Sequence, residues 1–293
     1  MVTGAPNPDS TITAPLRVSG RGRTTWTNRS ADLGEDPTSA IDELMDGADA
    51  DCEHTFKDDT RSLVQLRVLG DRRWVVKRYR APALKTFVYH LVRQTPAWRE
   101  WRHARTLRRL GVRVLEPTAL VHERGGCQWS QALITPHVPA PTLKQWVHDQ
   151  RNSSESSAAM REQRRRVAQS VGHQIGTISA SGLSNRDHKA TNLLIDERCA
   201  AGQQPPLLID PAGLRRRQSD QAIYRMLALL AQTAERGGPI TLREKLTCLR
   251  RVLKRDSSLA RDERRRLRHT VSCVNDLLLI GQAAGPGRGQ PVQ

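Results

Sequence analysis

Hydrophobic residues gather in two strand-like runs, Ser62–Leu69 and Arg73–Tyr79, and Gly70-Asp71 between them is a short turn signal, so the pair predicts a β-hairpin. The spacing then lengthens to the helical period from Pro96 to Leu110, with proline in the first turn and Gly111 just past the end. A second hairpin is predicted from Thr118–Glu123 and Gln128–Ile134 around Gly125-Gly126. Beyond the proline-rich stretch Thr135–Pro141, helical patterns dominate, over about 142–150, 159–180, 218–236, 241–255 and 260–280. One short β-like block interrupts them, Asn192–Asp196 with Leu207–Asp210. Strands and one helix followed by mostly helices predict an α+β chain of two lobes.

The ends lack a sustained period. Residues 1–53 are rich in Thr, Ser, Gly, Pro and Asp and read as a disordered acidic leader; 282–293 reads as a disordered tail. That leaves 54–137 for a small N-terminal lobe and 138–281 for a larger C-terminal one. Charge sharpens this division. The leader holds 4 Arg against 10 Asp and Glu while the whole chain carries +17, so the remainder carries +23. A body so basic attracts anions: a nucleotide, a nucleic acid or an anionic lipid surface. The five cysteines are odd in number and form no C-x-x-C pair, which argues against a zinc site or disulfide framework and suits a reducing cytoplasm. No signal-peptide pattern opens the chain and no apolar run approaches the roughly 20 residues of a membrane span, so membrane contact is expected to be peripheral.

Chemistry concentrates in Asn185-Arg186-Asp187-His188-Lys189-Ala190-Thr191-Asn192, which runs into the apolar Leu193-Leu194-Ile195-Asp196. The pattern R-D-x-K-x-x-N before a strand is that of a kinase catalytic loop. An aspartate beside an incoming hydroxyl can orient it and accept its proton. A lysine two residues on can neutralise the moving phosphoryl group, and an asparagine three further can offer its amide oxygen to Mg²⁺. Asp187, Lys189 and Asn192 occupy these positions. A second apolar run, Leu207-Leu208-Ile209, ends on Asp210, a carboxylate suited to the same hard cation. A third, Trp74-Val75-Val76, delivers Lys77 at its end, and Glu100 on the following helix, in the stripe of Ala104 and Leu107, is a fitting partner. Taken singly, such residues are usually a turn former, a solvated lysine and a charge-balancing glutamate. Their order lifts them above that.

That order, V-V-K-R-Y-R, R-E-W-R-H-A-R-T-L-R-R-L-G-V, R-D-x-K-A-T-N-L-L-I-D and L-L-I-D-P-A-G-L, resembles the Kdo/WaaP lipopolysaccharide kinase family over about residues 55–235. The resemblance implies a two-lobed protein-kinase-like fold, with a small β-rich N-lobe and a larger helical C-lobe. It implies transfer of the γ-phosphate of ATP, with Mg²⁺, to a hydroxyl of a lipopolysaccharide inner-core sugar, Kdo or heptose. Lys77 is then expected on the ATP phosphates with Glu100 as its partner, Asp187 as catalytic base, Lys189 beside the phosphoryl group, and Asn192 with Asp210 on magnesium. Adenine is expected at the linker backbone of Pro136, His137 and Val138. Three departures stand out: Asn185 replaces the usual His or Tyr, Asp210-Pro211-Ala212-Gly213 replaces D-F-G, and no G-x-G-x-x-G precedes Lys77. The turn Lys57–Arg61 is expected to cover the phosphates with charge instead.

Alternatives stay open at this point. They are a Ser/Thr protein kinase-like enzyme, a pseudokinase, and a basic binding scaffold using the runs Arg164–Arg166, Arg215–Arg217 and Arg264–Arg266. An A-P-E segment is missing after Asp210, which favours a small or lipid-linked sugar acceptor over a peptide. Nucleic acid is disfavoured by the lack of any RRM, KH or zinc-finger pattern. Arg78, Arg80, Lys85 and Arg93 form the expected patch for an anionic membrane surface, with the enzyme cytoplasmic and peripheral on the inner face.

Overall fold

The computed structural model describes residues 16–20, 23–27, 30–46, 52–80, 95–125, 128–152, 158–259, 265 and 269. The chain forms two compact units, one of residues 1–101 with 116–137, the other of 102–115 with 138–293.

The first unit is built on a seven-stranded antiparallel sheet. Its elements, in chain order, are β1 (Leu16–Gly20), β2 (Arg23–Thr27), α1 (Pro37–Asp46), β3 (Cys52–Asp58), β4 (Ser62–Leu69), β5 (Arg72–Tyr79), the start of α2 (Pro96–Arg109), β6 (Ala119–Gly125) and β7 (Gln128–Pro136). The strand order is β1-β2-β6-β7-β5-β4-β3, so the strand of Lys77 lies inside the sheet. Because side chains alternate along a strand, β5 sends Trp74 and Val76 to one face and Lys77 and Tyr79 to the other. On the first face, Leu33, Ala40, Ile41, Leu44 and Met45 pack against Trp74, Val76, Ala119, Val121, Ala132 and Ile134. On the second, Ala97 and Trp101 of α2 pack against Leu120 and Leu133.

The expected disordered leader is therefore corrected over 16–46, where two strands, a 3₁₀ turn and a helix form. The reason is visible in residues that the polar composition masked. Ala40, Ile41, Leu44 and Met45 recur at helical spacing, and all are buried. The Asp36 carboxylate accepts the Thr38 and Ser39 N–H groups at 3.0 and 3.1 Å, which caps the helix start. The leader's acidity also has internal partners, since Arg23 pairs with Asp42 at 2.6 Å and with Asp46 and Glu123.

The second unit is mainly helical, with α3 (Leu143–Asn152), α4 (Ala158–Ala180), β8 (Leu183–Asn185), β9 (Leu193–Leu194), β10 (Leu207–Leu208), β11 (Leu214–Arg216), α5 (Asp220–Glu235) and α6 (Leu242–Arg255). Two small antiparallel pairs, β9 with β10 and β8 with β11, interrupt the helices. The core joins Trp146, Val171, Ile175, Ile178, Leu193, Leu208, Ile223, Met226 and Leu249. Helices α4 and α6 approach so closely at Gly172 that a Cβ there would lie 2.3 Å from the Cys248 carbonyl oxygen. The predicted helix over 260–280 lies outside the described residues, except for 265 and 269.

Candidate active site

In the first unit, Lys77 Nζ lies 2.7 Å from Glu100 Oε2, and the two side chains are 18% and 7% exposed. Mid-sheet placement of β5 and an inward turn of α2 bring them together across 23 residues. The Tyr79 hydroxyl donates to the same Glu100 oxygen, and Lys77 Nζ sits 5.3 Å from the Tyr79 ring centroid. Tyr79 was missed by the sequence reading, although a residue two places beyond Lys77 on a strand must share its face. The turn at Lys57–Arg61 is organised by Asp59 rather than by glycine. Its carboxylate accepts the Arg61 and Ser62 N–H groups at 2.9 and 2.7 Å and pairs with Lys57 at 2.8 Å. Lys57 holds the Asp59 carboxyl below the usual range, ahead of those two backbone bonds. The charge expected of Lys57 is thus spent within its own turn.

At the end of β7, Pro136 pairs with Trp74, and the His137 N–H donates to the Arg73 carbonyl at 2.9 Å. Phe56, which is 52% exposed, stacks on the His137 ring with centroids 6.5 Å apart. Val138 is the first residue of the chain's return to the second unit, and its carbonyl accepts the Ala140 N–H at 2.8 Å. Of the expected membrane patch, Arg78 is half-buried and donates to the Met45 carbonyl, and Arg80 pairs with Asp58 at 2.6 Å. Two of its four charges are therefore engaged inside the unit, while Lys85 and Arg93 lie outside the described residues.

The second unit assembles the loop. Between Asn185 and Asn192 the chain is tied by backbone bonds from His188 to Asn185 at 3.2 Å and from Asn192 to Lys189 at 2.9 Å. Helix α5 supports it from beneath at two positions one heptad apart. Met226 Sδ accepts the Asn185 N–H at 3.2 Å, and Thr233 Oγ1 accepts the Ala190 N–H at 2.9 Å. Lys189 Nζ lies 3.4 Å from Asp187 Oδ1, and Arg186 Nε lies 3.7 Å from Oδ2. Asn192 donates its amide N–H to the Asp187 carbonyl at 3.0 Å, which makes its Oδ1 the accepting end, approached by the Thr191 hydroxyl at 3.4 Å. The Ile209 N–H donates to the Asn192 carbonyl at 2.9 Å, which brings the residue before Asp210 beside the loop. Asp210 has φ of 53° and ψ of 64°, the one positive φ outside glycine among the described residues. Such strain, about 1–3 kcal/mol, is retained where it aims a side chain. His103, on the part of α2 that belongs to this unit, meets the Pro211 carbonyl at 3.1 Å.

One carboxylate and one oriented amide oxygen form a hard-oxygen set that fits Mg²⁺ when phosphate oxygens and water complete the shell. The chemistry of the donors at Asp210 and Asn192 thus suits the ion that the motif implies. Two of the three arginine runs have structural partners among the described residues, while Arg264 and Arg266 of the third lie outside them. Arg164 pairs with Glu244 at 2.5 Å, Arg165 with Glu162 at 2.6 Å, and Arg217 with Asp256 at 2.6 Å. These pairings weaken a nucleic-acid reading of the runs.

His188, inside the loop, is fully buried, and neither ring nitrogen has a partner among the described residues. Burial holds its imidazole down to about 4 from the usual 6.5. The folded state thus refuses a proton that the unfolded chain accepts, so stability should fall as pH drops from about 6.5 toward 4, by up to about 1.4 kcal/mol per pH unit. Thermal melts across that window should show a shallower decline for His188→Leu than for the parent. Parallel declines would place the acid sensitivity elsewhere.

The lipopolysaccharide kinase (Kdo/WaaP) family model matches residues 52–246. No curated protein matches the chain. Among solved structures, one described as WaaP in complex with acyl carrier protein is similar, with a TM-score of 0.57 and 21% identity, covering 85% of this chain and 95% of that one. The fold is thus α+β and kinase-like.

Proposed function

From the premise that this chain belongs to the lipopolysaccharide kinase (Kdo/WaaP) family, we propose that it phosphorylates a hydroxyl of an inner-core sugar, Kdo or heptose. Membership makes the protein a kinase of lipopolysaccharide biosynthesis, a phosphotransferase that uses ATP. The observation that supports the finer reading is the loop of Asp187, Lys189 and Asn192, which α5 holds through the Asn185 and Ala190 N–H groups and which lies beside the residue before Asp210.

In this reading Asp187 orients the sugar hydroxyl and accepts its proton as the oxygen attacks phosphorus. Lys189 balances the charge gathering on the transferred group, and Lys77, steadied by Glu100 and Tyr79, holds the nucleotide's phosphates. Magnesium, when bound, supplies electrostatic stabilisation of the phosphate oxygens. Asn192 and Asp210 are the residues that would hold it. Pro136–Val138 would meet the base.

The short run of chain after Asp210 supports the acceptor class. From Gly213 it enters β11, which pairs with β8, and α5 begins at Asp220. Only residues 217–219 separate that strand from the helix, too few for a peptide-docking segment. Among the described residues no helix is long and apolar enough to cross a membrane. A lipid-linked acceptor would place the work at the inner face of the cytoplasmic membrane, with the body's +23 charge favouring an anionic surface. The decisive assay supplies radiolabelled ATP with lipopolysaccharide stripped of its core phosphates, with generic protein substrate, or with buffer alone. Label in the lipopolysaccharide is expected. Label in protein would overturn the sugar acceptor, and label nowhere would indicate an inactive kinase fold.

A further inference from the structure

We propose that Asn185 is a positioning residue for Asp187, acting as a latch that Gly213 closes. The inference rests on the reading of Asp187 as catalytic base, and it turns the departure at Asn185 into part of the machinery.

Asn185 ends β8 and is 0% exposed. Its Oδ1 accepts the Asp187 N–H at 3.1 Å, its carbonyl accepts the His188 N–H at 3.2 Å, and its own N–H donates to Met226 Sδ. One side chain therefore fixes the backbone from which the Asp187 carboxylate projects. The amide Nδ2 of Asn185 is buried with no partner among the described residues. Keeping such a group is costly, and an apolar side chain of similar size would avoid the cost. The position makes sense if what it must supply is the acceptor oxygen.

Gly213 lies directly against this bond. A Cβ there would stand 2.6 Å from Asn185 Oδ1, 2.7 Å from the Asp187 nitrogen and 2.8 Å from Asp187 Oδ2. Two of these atoms are the donor and acceptor of one hydrogen bond, and the third belongs to the catalytic carboxylate. The Gly213 carbonyl in turn accepts the Arg186 N–H at 3.1 Å, and the next residue, Leu214, pairs with Asn185. So the segment that begins at Asp210 ends by packing, atom on atom, against the loop of Asp187. An added methyl at 213 must push Asp187 or Asn185 aside, and misplacement of a reacting group by about 1 Å can cost about 10²-fold in rate.

The test uses the full chain, radiolabelled ATP and lipopolysaccharide stripped of core phosphates, with thermal melts for each variant. Asn185→Leu keeps the branched shape, with bulkier methyls, and removes the acceptor; it should lower kcat by about 10–100-fold with the KM for ATP changed less than about twofold. Gly213→Ala should show the same split, which general loosening of the fold would not give. In the pair Asn185→Ala with Gly213→Ala, the loss should not exceed that of the worse single variant, because both act on one contact. Multiplying losses would overturn the latch, as would a folded Gly213→Ala protein with parental kcat. If Asn185→Leu fails to fold, Gly213→Ala alone decides by the same criteria. Asp187→Asn serves as the control: retained transfer there would defeat the catalytic-base reading itself, whereas its loss beside an indifferent Gly213→Ala would defeat only the latch.

Discussion

Asp187→Asn and Asp210→Asn should each lower phosphotransfer by about 10²–10⁴-fold while the protein stays folded. Each change removes a charge and almost no volume. At 187 the variant keeps the backbone N–H that Asn185 accepts, but it cannot take a proton from the acceptor hydroxyl. At 210 the choice of replacement matters, because the backbone is left-handed there and asparagine is among the few residues that tolerate that region. Asp210→Ala would mix a conformational loss with a chemical one; Asp210→Asn isolates the carboxylate. Transfer of radiolabel to stripped lipopolysaccharide, read beside a thermal melt, checks both. Near-parental turnover in folded variants would sink the assignment of the site.

Lys77→Met should reduce kcat/KM for ATP severely, and adding Glu100→Gln should cost far less than the product of the single losses. Both side chains are largely removed from water, and Glu100 is shared by Lys77 and Tyr79. Removing one partner of a buried pair is costly, about 3–5 kcal/mol, because the other charge is left uncompensated. Lys77→Met should therefore also lower the melting temperature, and Glu100→Gln should recover part of that loss in the double variant. A complete double-mutant cycle for kcat/KM and for melting measures the coupling. Independent effects in both would reduce the pair to two separate charges.

How much of this was legible depends on how far apart the cooperating residues lie. The loop Asn185–Asn192 is eight consecutive residues, so its type and spacing could be read directly. Lys77 and Glu100 are separated by 23 positions, but a strand end and a helical stripe each narrow the choice to one face. The main strands and helices were legible because their apolar periods are sustained, and β4 runs over Ser62–Leu69 as expected. Gly213 against Asp187 was not legible, since no periodicity links a turn to a loop 26 residues earlier. Nor was Asn185, which looked like a weakness until its oxygen was seen to hold the Asp187 N–H. The leader failed for another reason: ten acidic residues and many turn formers outweighed a four-residue apolar stripe whose burial depends on a sheet far along the chain.

That stripe bears on where the protein can be divided. The family match opens at Cys52, yet β2 is hydrogen-bonded to β6, and α1 lies over Trp74 and Val76 on the strand that carries Lys77. A chain begun at Cys52 would bare an edge strand and an apolar face together, the combination that invites self-association. The described residues of 16–46 therefore behave as a tethered ligand of the sheet, complementary in edge, in apolar surface and, through the Arg23–Glu123 pair, in charge. Severed from the rest, they would be a peptide whose receptor is the sheet, and a chain split at this junction is expected to reassemble from its halves.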